Sequence, residues 1–356
     1  MAEDEPGPLV DAGAAPAPEP VPERRPASNV VLLLAVLALC LATAAPVLDS
    51  VWQILAVRLG IADAAPSYDY VWLVLNAVPE LRVQLAIIAV VAAIANAAFD
   101  YRTAALIALF CAVVNLGAIV QSIDAVAGVP PTAGPEFRVM TFNISAFNTE
   151  RGATVDAIRA AKADIVVVQE ATDGWLTALE PLRRDYRYVA PADVAASQGM
   201  LIFSRYPIVQ FRQLQPISEY YPYLAATLQL PSATLTLLAI HPPRPLRVGE
   251  SVDRDIYFKR VAEHVQRLEG PVIVAGDFTA TPWSRPFAEL VRSAGLTKAW
   301  SLQPWLSTWP SWLPHIGIPI DHILANGRVA ITGVRLGPDG GSDHFPVIAT
   351  LRLRSN

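Results

Sequence analysis

Pro271-Val272-Ile273-Val274-Ala275-Gly276-Asp277-Phe278-Thr279-Ala280-Thr281-Pro282 is the stretch whose reading decides the fold. Its apolar, partly β-branched run at 272–275 has the length and composition of a buried strand. The strand runs into Gly276 and then into an acid, Asp277. Pro282 and Ser284 lead on into a helical pattern at 286–293. A carboxylate at the tip of a buried strand is held rigidly and faces the loops, where active sites of α/β sheets lie. A plain Asp-containing turn has the same local sequence. Recurrence of such tips along the chain is what favours the functional reading.

Working outward, the pattern predicts strands at 137–145, 164–170, 199–209, 224–230, 234–240, 320–325, 329–336 and 344–353. Helical periodicity appears at 154–162, 175–184 and 252–268. Strands outnumber helices and several adjoin directly. That predicts mixed sheets with helices outside, an α/β sandwich, and argues against a strict doubly wound fold. The strand tips are polar: Asn143, Gln169-Glu170, His241, Asp277 with Thr279, Asp321, and Asp343-His344. Buried strands need no carboxylate, amide or imidazole at their tips. Convergence of these tips on one sheet edge would make a metal-plus-histidine site.

Thr141-Phe142-Asn143, Gln169-Glu170, Ser204-Arg205-Tyr206-Pro207, Gly276-Asp277-Phe278, Ile320-Asp321-His322-Ile323 and Ser342-Asp343-His344-Phe345-Pro346-Val347 occur in that order. Together they resemble the endonuclease/exonuclease/phosphatase superfamily, the DNase-like fold. The resemblance spans 137–354. It implies a four-layered α/β sandwich and Mg²⁺- or Mn²⁺-dependent cleavage of phosphoester bonds. Family substrates include nucleic acids, inositol phosphates and sphingomyelin-type lipids. By resemblance, Asn143, Glu170 and Asp343 surround the metal, and Asp277 orients or deprotonates the attacking water. Such a carboxylate holds the water in line with phosphorus. An oxygen-rich ligand set suits Mg²⁺, which keeps several waters. His344 would donate to the phosphoryl oxygens, and Asp321 would bond its other ring nitrogen and keep it protonated. His241 would serve the leaving-group side as a second acid.

Thr279 departs from the family pattern, which has Asn at this position. Thr offers a hydroxyl with shorter reach and one fewer donor. His322 follows Asp321 in a strand and is expected on the opposite face. His264 and His315 read as ordinary surface or core histidines. Arg205, Arg244 and Arg247 are candidate phosphate contacts. Trp300, Trp305, Trp309 and Trp312 cluster ahead of the Asp321 motif, where they can pack a loop, rim a pocket or dip toward a membrane.

The chain of 356 residues is 53% hydrophobic and 17% charged, with a mean hydropathy of +0.37. That is too apolar for an ordinary soluble protein and predicts membrane segments. Residues 1–28, rich in Pro, Ala and Glu, are expected to be a disordered tail. Apolar runs at about 29–48, 83–99 and 103–123 predict three transmembrane helices within a membrane region at 29–123. A signal peptide is the alternative for the first run, because Ala42-Thr43-Ala44 resembles a cleavage site. Trp52, Tyr68, Tyr70 and Trp72 suit a membrane–water interface, and the piece at 71–78 could lie on the surface or be re-entrant. A Pro/Gly linker at 124–136 leads to the catalytic domain at 137–356. Cys40 and Cys111 fall inside the apolar runs and read as packing residues, not a disulfide.

Charge is uneven. Residues 1–136 carry a balance of −8 and the remainder +3. The near-neutral C-terminal part gives no sign of a large nucleic-acid-binding field. Arg24, Arg25 and Arg102 prefer the cytoplasm, which would place the catalytic domain on the extracytoplasmic side of the cell (inner) membrane. Arg58 and Arg82 weigh against that bias. The expected function is a multi-pass, membrane-anchored, divalent-metal-dependent phosphoesterase. Its partners would be the lipid bilayer and a phosphorylated substrate such as a lipid headgroup or nucleic acid. The alternatives are an envelope nuclease and a non-catalytic binding module that kept the fold.

Overall fold

The computed structural model describes residues 26–58, 76–124, 135–191, 199–304 and 306–354. Residues 1–25 of the expected 1–28 tail, the aromatic stretch with Tyr68, Tyr70 and Trp72, residues 125–134 of the expected 124–136 linker, and Trp305 lie outside the described residues.

Among the described residues, three helices are long and apolar enough to cross a membrane. They are α1 (Pro26–Arg58), α2 (Arg82–Ala98) and α3 (Arg102–Gln121). The first helix runs well past the expected end at 48, carrying Pro46 inside it. Leu33, Leu37, Val91, Ile94, Phe110 and Val120 point outward and are exposed. Helices that expose apolar side chains this way suit a lipid surround better than a soluble core. Asn115 ties the three together. Its Nδ2 donates to Thr43 at 3.0 Å, and Arg82 Nη1 donates to its Oδ1 at 3.3 Å. Cys40 and Cys111 are free thiols with sulfurs 3.8 Å apart.

The rest of the chain forms two six-stranded sheets packed face to face. The first has β1 (Phe137–Asn143), β2 (Ile165–Gln169), β3 (Tyr188–Ala190), β4 (Leu201–Ser204), β11 (Val329–Leu336) and β12 (Val347–Leu353), in the order β11-β12-β1-β2-β4-β3. The second has β5 (Ile208–Leu214), β6 (Tyr223–Gln229), β7 (Thr234–Ile240), β8 (Val272–Asp277), β9 (Leu296–Lys298) and β10 (Asp321–Asn326), in the order β5-β6-β7-β8-β10-β9. Val139, Val167 and Ile202 of one sheet meet Leu237, Ile273 and Ile323 of the other in a common core. On the outer faces, α4 (Arg151–Ala161) and α5 (Asp173–Leu179) cover the first sheet, while α6 (Val248–Gln266) and α7 (Arg285–Ser293) cover the second. This is the expected four-layered, DNase-like sandwich.

The strand expected at 199–209 is two strands in different sheets. Arg205-Tyr206-Pro207 carries the chain across, because proline has no N–H for a ladder bond. The helix expected at 175–184 stops at Leu179 and continues as a 3₁₀ turn, Glu180–Arg184, with Pro181 in its first turn. The last strand starts at Val347, after Pro346, not at His344. The short strands β3 and β9 have no periodicity to reveal them.

Topology explains why the polar tips share an edge. β1 runs parallel to β2, and β7 parallel to β8, so their C-terminal ends lie together. β10 is antiparallel to β8 with Asp321 opposite Asp277, and β12 is antiparallel to β1 with Val347 opposite Thr141. Their N-terminal ends therefore reach the same edge. Gly276 is required by close approach across the β7–β8 pair. A Cβ built there would stand 1.9 Å from the Ile240 carbonyl oxygen. Gly276→Ala is expected to destabilise the fold by at least about 3 kcal/mol, read as a fall in Tm. A Tm within a degree or two of the parent would contradict the assigned register.

Candidate active site

The cluster forms where the parallel pairs end. Asn143 closes β1, and its Nδ2 donates to Glu170 Oε1 at 2.9 Å and to Asp277 Oδ2 at 3.0 Å. Its Oδ1, the atom expected to face a metal, accepts from the Ser145 N–H at 3.0 Å. Ligation through Oδ1 would require the amide to turn. Glu170 follows β2 with a left-handed φ of 62°. Its Oε2 accepts from the Ala146 N–H at 3.0 Å, and Arg244 Nη2 bonds its Oε1. Left-handed backbone at a non-glycine residue is uncommon and concentrates at functional sites. His241 follows β7, its Nε2 lying 3.8 Å from Glu170 Oε1 and 3.7 Å from Asp277 Oδ2.

Opposite these stands a buried pair. His344 Nδ1 meets Asp321 Oδ2 at 2.9 Å, and His344 Nε2 lies 3.9 Å from Asp277 Oδ2. Ser342 Oγ fixes the approach of this segment, donating to the Asn143 carbonyl at 2.7 Å and accepting from the His344 N–H at 3.1 Å. Thr308 Oγ1 accepts from the backbone N–H groups of Ile320 and Asp321 and holds the start of β10. Asp343 is exposed, with its Oδ2 accepting from Trp309 Nε1 at 3.1 Å. Asp277, Thr279, Asp343 and His344 line one cavity of about 240 Å³ with Arg244 and Trp309.

Thr279 has a φ of 50°, a conformation that a β-branched residue rarely adopts and Asn adopts more readily. Its N–H donates to Asp277 Oδ1 at 2.7 Å, and its hydroxyl donates to the Pro243 carbonyl at 3.1 Å. The side chain expected to replace the family Asn thus secures a neighbouring loop.

Electrostatics separate the acids and bases. Burial opposes charge on Glu170. The His241 ring, the Asn143 amide, the Ala146 N–H and Arg244 outweigh it and bring the carboxyl down to about 2. Burial likewise opposes charge on His344, but Asp321, then Asp277 and Asp343, raise it to about 9. His344 is therefore an imidazolium at neutral pH. Asp277, Asp321 and His344 place ligand atoms within 4.8 Å of one another, a buried group that could hold a metal ion. The bond from His344 to Asp321 and the charge on the ring favour a donor role for this imidazole.

Every residue selected from the strand tips reaches this edge. The other candidates divide. Arg244 is at the site. Arg205 is not: it pairs with Asp164 at 3.3 Å and covers the Tyr186 ring at the opposite end of β4. Arg247 is exposed and caps the start of α6. His322 does face away, with its Nε2 on the Ala280 carbonyl at 3.0 Å and its ring between Phe278 and Phe287. Burial lowers it to about 4. His264 bonds the Tyr223 hydroxyl, and His315 is exposed. The tryptophans serve different ends. Trp300 packs on Trp283 beside Ile119 of α3, Trp309 bonds Asp343, and Trp312 is exposed.

The model of the Endonuclease/Exonuclease/phosphatase family matches residues 140–344. No curated protein matches the sequence. Among solved structures, the chain is similar to an endonuclease/exonuclease/phosphatase from Beutenbergia cavernae DSM 12333, at 20% identity and TM-score 0.51, over 62% of this chain and 72% of that one. It is also similar to D. rerio TDP2 complexed with single strand DNA product (14% identity, TM-score 0.51, 62% and 100% covered). Caenorhabditis elegans TDP2 is a further neighbour (17% identity, TM-score 0.50, 78% and 93% covered). At these identities the structural likeness speaks for the fold alone. The family model, covering more than half of the chain, decides membership: this protein belongs to the endonuclease/exonuclease/phosphatase family.

Proposed function

We propose that the protein is a membrane-anchored, divalent-metal-dependent phosphoesterase whose catalytic domain faces the extracytoplasmic side. The observation that carries this reading is the convergence of Glu170, Asp277 and His241 with the Asp321–His344 pair at one sheet edge. Asp277 orients and deprotonates the attacking water, and the Thr279 N–H holds its carboxylate in place. His344 donates to the phosphoryl oxygens as charge develops there, and Asp321 keeps the ring oriented and charged. His241 protonates the leaving group. Glu170, Asn143 and Asp343 would hold Mg²⁺ or Mn²⁺, which when bound supplies charge neutralisation at the phosphate.

Helix ends support the orientation. α1 begins beside the α2–α3 turn, where Leu32, Leu33, Tyr101 and Arg102 line one cavity. The catalytic domain contacts the other end, through Asp124 and the start of α2. Arg102 and the start of α1 thus lie at one end of the helices, and the sandwich contacts the other. A reporter fused after Asn356 is expected to be active outside the cytoplasm, and activity inside would reverse the topology.

A lipid substrate is favoured over nucleic acid by an apolar groove of about 520 Å³ between α2, α3 and the sandwich. Val83, Ile87, Leu116 and Trp283 wall it, and Gly317 and Pro319 separate it from the catalytic cavity, which Ile318 and Ile320 line. The full-length chain in micelles is expected to hydrolyse a phospholipid in Mn²⁺ faster than it nicks plasmid DNA. Faster nicking would favour the nuclease reading. Absence of both, with no hydrolysis of simple phosphodiesters, would favour the non-catalytic module.

A further inference from the structure

Residues 279–281 form the loop that directly follows the catalytic strand, and each is tied to a buried side chain from a distant part of the chain. The Thr279 carbonyl accepts from Arg254 Nη1 of α6 at 3.3 Å. The Ala280 carbonyl meets His322 Nε2 of β10 at 3.0 Å. Thr281 donates its N–H and its hydroxyl to Glu80 Oε2, at 2.8 and 2.5 Å. Glu80 comes from the 3₁₀ turn Val78–Leu81 that opens α2. Its Oε1 is 3.5 Å from Arg254 Nη1, and its backbone carbonyl accepts from Trp283 Nε1 at 3.2 Å. Glu80 is only 8% exposed, and it lines the same cavity as Asp277, Thr279 and His344.

The loop needs this support. Thr279 is a β-branched residue in the left-handed region, a conformation the surroundings must impose. Its N–H fixes Asp277 Oδ1, so a shift of the loop moves the carboxylate. A group that aligns a water for attack loses rate steeply when displaced by about 1 Å.

We propose that Glu80 is a positioning residue of the catalytic site. It clamps Thr281 directly and Thr279 through Arg254, so that the turn opening the second apolar helix is part of the catalytic unit. The inference rests on the phosphoesterase reading for its kinetic consequence. It also explains why a carboxylate is buried at the foot of an apolar helix, where an unpaired charge would be strongly unfavourable.

The test compares the full-length wild type in micelles with Glu80→Ala, Glu80→Gln and Thr281→Val, using bis(4-nitrophenyl) phosphate with Mn²⁺. Glu80→Ala is expected to lower kcat about tenfold or more while KM stays within about threefold. Glu80→Gln keeps an oxygen able to accept both Thr281 bonds and is expected to recover most of kcat. Thr281→Val removes only the hydroxyl and is expected to lower kcat about threefold while Tm falls by no more than about 5 °C. It decides the matter should the alanine variant fail to fold. Unchanged kcat in these variants, or a glutamine variant no better than alanine, would overturn the proposal. Hydrogen exchange over 277–284, read on the same samples, does not depend on turnover. Faster exchange confined to that segment in Glu80→Ala is expected, and unchanged exchange would overturn the clamp. An inactive wild type showing that exchange response would sink the phosphoesterase reading while supporting the hold of Glu80 on the loop.

Discussion

Asp277→Asn is expected to lower kcat by about 10³-fold, with KM changed little, because general-base and positioning contributions are of that order. Asp277 is 2% exposed, and its contacts are specific to a carboxylate. Oδ1 accepts the Thr279 N–H, and Oδ2 accepts Asn143 Nδ2 while facing both His241 and His344. An amide can keep the first bond through its carbonyl oxygen. Its NH₂ then meets Asn143 as donor to donor, which costs about 1 kcal/mol. The fold therefore survives and the base is lost. Asp277→Ala is a poorer probe, since it leaves the Thr279 N–H without an acceptor beside a strained residue. Steady-state kinetics of folded Asp277→Asn check this, and activity within tenfold of wild type would remove Asp277 from its role.

Asp321→Asn is expected to produce the second large effect, about 10²-fold in kcat at pH 8, with a displaced pH profile. Asp321 is the foremost group raising His344 to about 9. In the wild type the imidazolium persists through neutral pH, and activity declines as pH rises through about 9. With the carboxylate replaced, burial dominates and the ring falls toward or below its ordinary value of about 6.5. The basic limb then moves down below pH 8. Stability follows the same sign. Because its folded-state value is raised, the contribution of His344 is fully present below about 6.5 and is lost as pH rises through about 9, while burial holds the Asp321 carboxyl above its ordinary range. A pH–rate profile of both forms measures the shift, and superimposable basic limbs would contradict the assignment.

The catalytic half of the molecule was largely legible in the sequence because its signals are local. A buried strand has a period of two, which placed Asp321 toward the site and His322 behind it against Phe278 and Phe287. Parallel pairing then gathered tips that are far apart in the chain. What the sequence concealed lies in long-range contacts without a pattern. Glu80 and Thr281 are 201 residues apart, and nothing local in the sequence links them. Arg254 sits in an amphipathic helix, and nothing local distinguishes it from a solvated arginine, yet it is 1% exposed. Arg205 misled for the opposite reason. It belongs to a matching motif, but that motif turns the chain between sheets at the edge remote from the site. Ser342 opens the Ser342–Val347 motif, but its clamp on Asn143 and His344 is set by long-range contacts that no local pattern carries.

The most direct measurement of the central claim is hydrolysis of bis(4-nitrophenyl) phosphate by the full-length protein in micelles, with Mn²⁺, with EDTA, and with Asp277→Asn in place of wild type. The account predicts turnover that appears with metal, disappears with chelation, and is lost in the folded variant. Turnover that survives chelation, or that is equal in wild type and Asp277→Asn, would contradict it.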